Sequence, residues 1–284
     1  VNTRAAVAVI ALCFGLVTFA AQQPTFSSRL EAVRLDVLVT DSGQPIRGLQ
    51  ASDFEVLDNG APQTVDLVGF EEIPLSVVLT LDVSASVTGE RLDHLRDAGE
   101  AVLGALRKND QAALITFTEG LAQDAALTSD IGQVRSALAS VEPAGDTALT
   151  DGAYAGITVA DGAAGRGLVI VFSDGRDTAS WLSERAVIDA ARRSNAVLYG
   201  VAAGARNTSF LRELTAATGG RLFEVESTRN LRGVFLAALE EFRHRYLVSY
   251  SPQGVAKGGW HKVEVRVKRR GATVRARPGY LGGS

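Results

Sequence analysis

A chain of 284 residues, 46% hydrophobic and 21% charged, has the make-up of a folded protein of one large domain or two modest ones, which excludes extensive disorder. A formal net charge of −3 and a pI near 5.7 exclude a general nucleic-acid binder, which needs a basic footprint. The single cysteine, Cys13, excludes a disulfide within the chain and a zinc–thiolate site.

Arg4 is followed by AAVAVIALCFGLVTFAA, and no charge recurs until Arg29. A basic start, an apolar core and small residues at Ala20 and Ala21 predict a secretory signal peptide over residues 1–21, with an uncleaved membrane anchor as the alternative. Cys13 follows Leu12, too bulky a neighbour for a lipidation site. The expectation is an exported protein: periplasmic, held in the cell envelope, or secreted.

Next, Val33, Leu35, Val37 and Val39 alternate with polar neighbours, which is the period of a half-buried strand. In DFEVLDNGAPQTVDLVGF, Asn59-Gly60 marks a tight turn between two short strands. No helical pattern occurs before about residue 88. From Leu75 to Arg243 the texture changes. Continuous apolar runs at 75–81, 111–117, 167–173, 196–202 and 221–225 alternate with amphipathic stretches at 89–108, 130–141, 148–160, 181–194, 209–219 and 230–245, and a short antiparallel strand fits at 121–127. Such a pattern predicts a doubly wound, mostly parallel sheet covered by helices on both faces. Strand texture returns at 246–252, 261–270 and 272–280.

Neither flank has enough strands to bury a core alone. Residues 31–72 carry nine Asp/Glu against two Lys/Arg, whereas 257–277 carry eight Lys/Arg against one Glu. The flanks are therefore expected to pair as one small discontinuous β domain, residues 22–73 and 244–284, into which the α/β domain, residues 74–243, is inserted. Two separate appendages are the alternative. A basic tail face for anionic envelope polymers is a third, since alternating charges usually mark the solvated side of a strand.

In open α/β sheets ligands sit outside the carboxyl ends of the strands, where strand order reverses. Three segments bring hard oxygen donors to such places: DVSAS after the first core strand, GDTALTDG in a loop entering a helix, and FSDGRD after another core strand. Asp82, Ser84, Ser86, Thr147 and Asp174 are the candidate metal ligands. Two neighbouring carboxylates repel unless a cation lies between them. An oxygen-only set rich in hydroxyls suits a small hard cation, Mg²⁺ or Mn²⁺, and leaves a coordination position open. The alternative is that Asp82 and the serines cap the helix beginning near residue 88.

With these residues in view, the chain resembles the von Willebrand factor type A (VWFA) domain, a Rossmann-like α/β fold: DVSAS matches that family's D-x-S-x-S motif, Thr147 its loop threonine and Asp174 its second aspartate. The flanking segments VLVTDSGQPIRGLQASDFEVLDNGAPQ and YLVSYSP…VRARPGYL resemble the VWFA-related acidobacterial domain family of secreted bacterial proteins. The resemblance implies a metal-ion-dependent adhesion site. Ser84, Ser86 and Thr147 would bind the cation directly, Asp82 and Asp174 directly or through water, and a partner protein would supply an Asp or Glu to the open position. Asp146 stands where the family commonly has glycine, and Asp151 and Asp177 add further charge; as a shell around the ligands they would raise metal affinity, support a second cation or repel an acidic ligand, the alternative being solvated loop polarity or helix-start charge.

Catalysis finds little support in the sequence, which has neither a G-x-S-x-G elbow nor a phosphate-cradling P-loop. Of the three histidines, His94 is expected on the first helix in a packing or surface role, and His244 and His261 exposed at the edges of the β domain. The reading is a non-enzymatic, exported binding or adhesion module. Its alternatives are an envelope scaffold without metal-dependent binding and a Mg²⁺-dependent phosphoryl-transfer enzyme. No nucleic acid is expected as partner, a membrane only through an uncleaved N-terminal segment, and the oligomeric state is left open.

Overall fold

The computed structural model describes residues 32–70, 73–204 and 207–283; the predicted signal peptide lies outside them. The first flank supplies β1 (Val33–Asp41), β2 (Gln44–Pro45), β3 (Phe54–Asp58), β4 (Ala61–Gln63) and β5 (Val65–Phe70). The middle of the chain runs β6 (Leu75–Asp82), α1 (Glu90–Gly104), β7 (Gln111–Phe117), β8 (Leu121–Thr128), α2 (Ile131–Ala139), α3 (Leu149–Asp161), β9 (Arg166–Ser173), α4 (Glu184–Arg193), β10 (Val197–Ala203), α5 (Ser209–Ala217), β11 (Arg221–Val225) and α6 (Leu231–Arg243). The tail adds β12 (Tyr246–Tyr250), β13 (Gly259–Val267), β14 (Thr273–Arg275) and β15 (Gly279–Gly282).

Six strands of the middle segment form one sheet in the order β11-β10-β9-β6-β7-β8, parallel except for β8. Every residue of β6 and β9 is buried, which is why these strands read as unbroken apolar runs rather than alternations. Alternate side chains go to opposite faces. Val77, Leu79 and Leu81 of β6 pack with α1, α2 and α6, whereas Val78 packs with α3, α4 and α5. The strand order reverses between β6 and β9, both central, so their carboxyl ends flank the crevice where such sheets place ligands.

Strands of the two flanks pair with one another. One sheet has the order β14-β1-β12-β5, with β2 beside β1; the other has β15-β13-β3-β4. Leu35 pairs with Val248 and Val56 with Val265, and Leu35, Val37, Val39, Phe54, Val56, Tyr246, Val248 and Tyr250 share a core. Asn59 and Gly60 adopt φ of 47° and 83°, the left-handed pair that a two-residue hairpin between β3 and β4 requires.

Beneath that hairpin, Asp58 is buried and accepts bonds from Tyr250 Oη at 3.0 Å and Tyr280 Oη at 2.8 Å, with His261 Nδ1 2.8 Å from its other oxygen. His261 is 1% exposed, not at a solvated edge as its sequence position suggests. The pairing of β13 with both β3 and β15 encloses it. Burial also pushes the Tyr250 and Tyr280 phenols upward, and the neighbouring Asp58 carboxylate adds to the shift, so both stay protonated donors.

Buried arginines join the flanking sheets to the α/β layers. Arg245 is fully buried; it donates to Gly219 O at 2.6 Å, Asp36 O at 3.0 Å and Tyr199 Oη at 3.0 Å. Arg166 Nε reaches Asp36 Oδ1 at 2.7 Å, and Arg277 reaches Ser194 O at 2.8 Å. Gly219, with φ of 74°, lies against the backbone of Ala276 and Arg277, where a Cβ would come within 2.4 Å. Residues 31–284 thus form one compact unit. Among the described residues no helix is long and apolar enough to cross a membrane.

Candidate metal centre

Asp82 ends β6, and its side chain is fully buried. Its Oδ1 accepts from Ser84 N at 3.0 Å and its Oδ2 from Ser173 Oγ at 2.6 Å. Ser84 Oγ lies 3.1 Å from Ser86 Oγ, and Ser86 Oγ donates to Asp174 Oδ1 at 2.6 Å. Oxygens from the ends of both central strands are therefore linked into one chain of hydrogen bonds. These serines do not cap α1, whose N-cap is Gly89 without a side-chain cap bond.

The threonine arrives from a third loop. Ala85 N donates to Gly145 O at 3.0 Å and Ala144 N to Val83 O at 2.9 Å, which ties this loop to the DVSAS segment. Thr178 N and Ala179 N donate to Thr147 O at 2.9 and 3.1 Å, which ties it to the loop after β9. Thr147 is buried, and its Oγ1 lies 3.5 Å from where a Cβ on Gly175 would stand, one residue beyond Asp174. Glu119 fixes the loop from outside by accepting from Asp146 N at 3.0 Å. Gly145 has φ of 62°, and a Cβ there would collide with that Glu119 carboxylate.

The electrostatics at this point are unbalanced. Burial is the main cause that raises the Asp82 carboxyl above its ordinary range, and the charge of Asp174 raises it further; hydrogen bonds from Ser173 and Ser84 oppose both. Asp174 is itself nearly enclosed, and Arg91 Nη1 reaches its Oδ2 at 3.0 Å and Ser86 O at 3.2 Å. Two carboxylates and three hydroxyls without a nitrogen or sulfur among them are the donor set of a small hard cation, so the residues present fit a divalent ion. Among the described residues no three His, Cys, Asp or Glu gather about one point, so the hydroxyls are indispensable to any such set.

The three additional aspartates lie in different surroundings. Asp151 accepts from Trp181 N at 3.0 Å and Leu182 N at 2.9 Å. Asp177 accepts from Thr150 N at 2.9 Å and Ser180 N at 3.1 Å. Burial raises Asp177, but the bonds from Thr150 and Ser180 outweigh it and hold the carboxyl below its usual range. Both carboxylates are used on the loop backbone, and Asp146 is exposed. Sequence reasoning missed Ser173, Arg91 and Glu119. Ser173 alone carried a signal, sitting beside Asp174 at a strand end; the other two reach the site only through tertiary folding.

A family model of the von Willebrand factor type A domain matches residues 76–237, more than half of the chain. The chain belongs to this family. Domains of the VWFA type are generally non-enzymatic modules of adhesion and protein–protein interaction. Among curated proteins, none matches the chain.

Similar solved structures include a von Willebrand factor type A protein from Catenulispora acidiphila (13% identity, TM-score 0.54, covering 90% of this chain and 75% of that one). Proximal thread matrix protein 1 from the mussel byssus, with a zinc-occupied MIDAS motif, is 16% identical with a TM-score of 0.56 over 65% of this chain and 49% of that one. BatB from Bacteroides thetaiotaomicron, a conserved hypothetical protein, is 15% identical with a TM-score of 0.50, over 59% and 98%. The match spans about half the length of the mussel protein. Identities this low establish a shared fold and nothing finer.

Proposed function

We propose that this VWFA-domain protein is an exported, non-enzymatic binding module that holds one divalent cation, Mg²⁺ or Mn²⁺, at the β6/β9 crevice and uses it to engage an Asp or Glu of a partner protein. Ser84, Ser86 and Thr147 would hold the ion directly, and Asp82 and Asp174 directly or through water. The flanking sheets would act as one discontinuous β domain that carries the module. Export rests on the apolar N-terminal segment of the sequence.

The observation that carries the reading is the hydrogen-bonded chain Ser84–Ser86–Asp174 beside the buried Asp82. It gathers hydroxyls and two like charges where an oxygen-seeking cation would relieve their repulsion. Bound there, the ion would supply positive charge with a position open to an incoming carboxylate. The protein's own contribution is to fix the donors at the ends of two central strands and on a third loop tied to them, and to keep water from Asp82.

Calorimetric titration of Mg²⁺ and Mn²⁺ into metal-stripped protein, beside Asp174→Ala, tests this. Saturable binding at one site, abolished in the variant, is expected. Absence of binding by the folded wild-type protein would leave the metal-independent scaffold as the better account.

A further inference from the structure

The loop after β9 presents a side chain that cation binding does not use. Trp181 is 93% exposed, far beyond the next large hydrophobic among the described residues, Leu67 at 55%. Its backbone is nonetheless fixed. Asp151 receives the N–H groups of Trp181 and Leu182, and Asp177 receives those of Ser180 and Thr150 together with the Thr150 hydroxyl. Two carboxylates are committed to holding still a loop whose largest side chain stands in water. Leu182 and Tyr154 are also exposed, Leu182 next along the loop and Tyr154 one helical turn beyond Asp151 on α3, the residue that holds the Trp181 N–H.

The loop that carries Trp181 is tied to the cation crevice. Thr178, three residues before Trp181, is bonded to Thr147 through both its N–H and its hydroxyl. The Cα atoms of Thr178 and Trp181 are therefore at most about 11 Å apart, a span that an extended peptide covers in about three residues. Exposed Arg176 and Arg185 stand on either side along the chain, and the ion pair of Arg185 with Asp189 is long, at 3.9 Å. An ordered tryptophan with a charged rim has the make-up of an interface anchor.

We propose that Trp181, with Tyr154 and Leu182, is the second anchor of the partner site. It takes a large apolar or aromatic side chain carried on an acidic protein segment, about three residues from the carboxylate that meets the cation, while Arg176 and Arg185 meet further carboxylates. The proposal rests on the cation reading above. Exposed charges of both signs beside the indole, Arg176, Glu184 and Arg185, suit a protein rim and oppose immersion in lipid.

The test is selection from a random dodecapeptide phage library on the full chain in Mn²⁺, using wild type, Trp181→Ala and Asp174→Ala. Peptides selected on wild type are expected to pair an Asp or Glu with an aromatic or large apolar residue at fixed spacing. On Trp181→Ala the acid should persist and the aromatic preference vanish, with Mn²⁺ binding unchanged. One synthetic selected peptide should bind Trp181→Ala at least about tenfold more weakly, and Trp181→Phe within about twofold of wild type. An aromatic preference unchanged on Trp181→Ala, an acid-only consensus, or no consensus would overturn the proposal. So would Trp181-dependent binding to phosphatidylglycerol–phosphatidylethanolamine vesicles, which would assign the indole to a membrane. Aromatic selection that needs Trp181 but survives EDTA and Asp174→Ala would strike the cation reading while supporting the anchor.

Discussion

Ser86 Oγ donates to Asp174 Oδ1 at 2.6 Å and so ties the end of β6 to the end of β9, two positions 88 residues apart. The same hydroxyl is a proposed cation ligand, so Ser86→Ala should damage binding more than folding. The lost bond costs about 1 kcal/mol of stability. Loss of one ligand should weaken Mn²⁺ binding about tenfold or more, read by titration beside thermal unfolding.

Arg91 brings a positive charge to this crevice, on Asp174 Oδ2, and its own side chain is largely exposed. A guanidinium there competes with an incoming cation for the carboxylate. Arg91→Gln should therefore tighten Mn²⁺ binding, by up to about fivefold, the scale of an exposed ion pair. Weaker binding in that variant would mean that Arg91 supports the site instead.

Asp82 gives a trade between stability and function. Its carboxyl is raised by burial, so in the metal-free protein its contribution to stability is fully present below the unfolded value near 3.8 and is lost as pH rises through the folded value. Asp82→Asn removes that charge and retains an oxygen for Ser84 N. The variant should lose cation binding, yet in EDTA at neutral pH unfold a few degrees higher than wild type. A lower midpoint in EDTA would contradict this.

Asp177 has the opposite sign. Its folded value is lowered, so its stabilisation is present above the unfolded value near 3.8 and is lost as pH falls through the folded value. As pH falls below 3.8 through that lowered value, the Trp181 loop should loosen, seen as a change in indole fluorescence anisotropy. Asp177→Asn should already show the loose signal at pH 7 and little further change on acidification.

The Asp58 cluster tests the flanking sheets independently of the metal. Removing the carboxylate strands the buried Tyr250 phenol, the half-buried Tyr280 phenol and buried His261, so Asp58→Ala should cost about 3–5 kcal/mol. Tyr250→Phe, which removes one bond, should cost about 1–3 kcal/mol. Chemical denaturation distinguishes the two.

The α/β layers were readable because β6, β7, β9 and β10 are buried on both faces and therefore spelled in continuous Val, Leu, Ile and Ala. The expected strands at 111–117 and 221–225 coincide with β7 and β11, and the expected antiparallel strand appears as β8. The helix expected at 181–194 begins only at Glu184, because Ser183, with an extended backbone (ψ 148°), is its N-cap and accepts from Ala186 N at 3.3 Å. The tail was harder to read. The single strand expected at 272–280 is split into β14 and β15, which join different sheets. His261 looked exposed because burial by a distant strand leaves no mark on local alternation. Asp82, Ser84, Ser86 and Asp174 could be grouped from the strand-end rule, whereas Arg91 and Glu119 could not, since only tertiary folding brings them in.

The most direct test of the cation site is a crystal structure of the protein grown with Mn²⁺, with anomalous differences measured at the manganese edge. The account predicts one strong peak bounded by Ser84 Oγ, Ser86 Oγ and Thr147 Oγ1, with Asp82 and Asp174 in direct or water-bridged contact and Arg91 displaced from Asp174. No peak in the crevice at saturating Mn²⁺, with Ser86 still bonded to Asp174 and Arg91 in place, would contradict it.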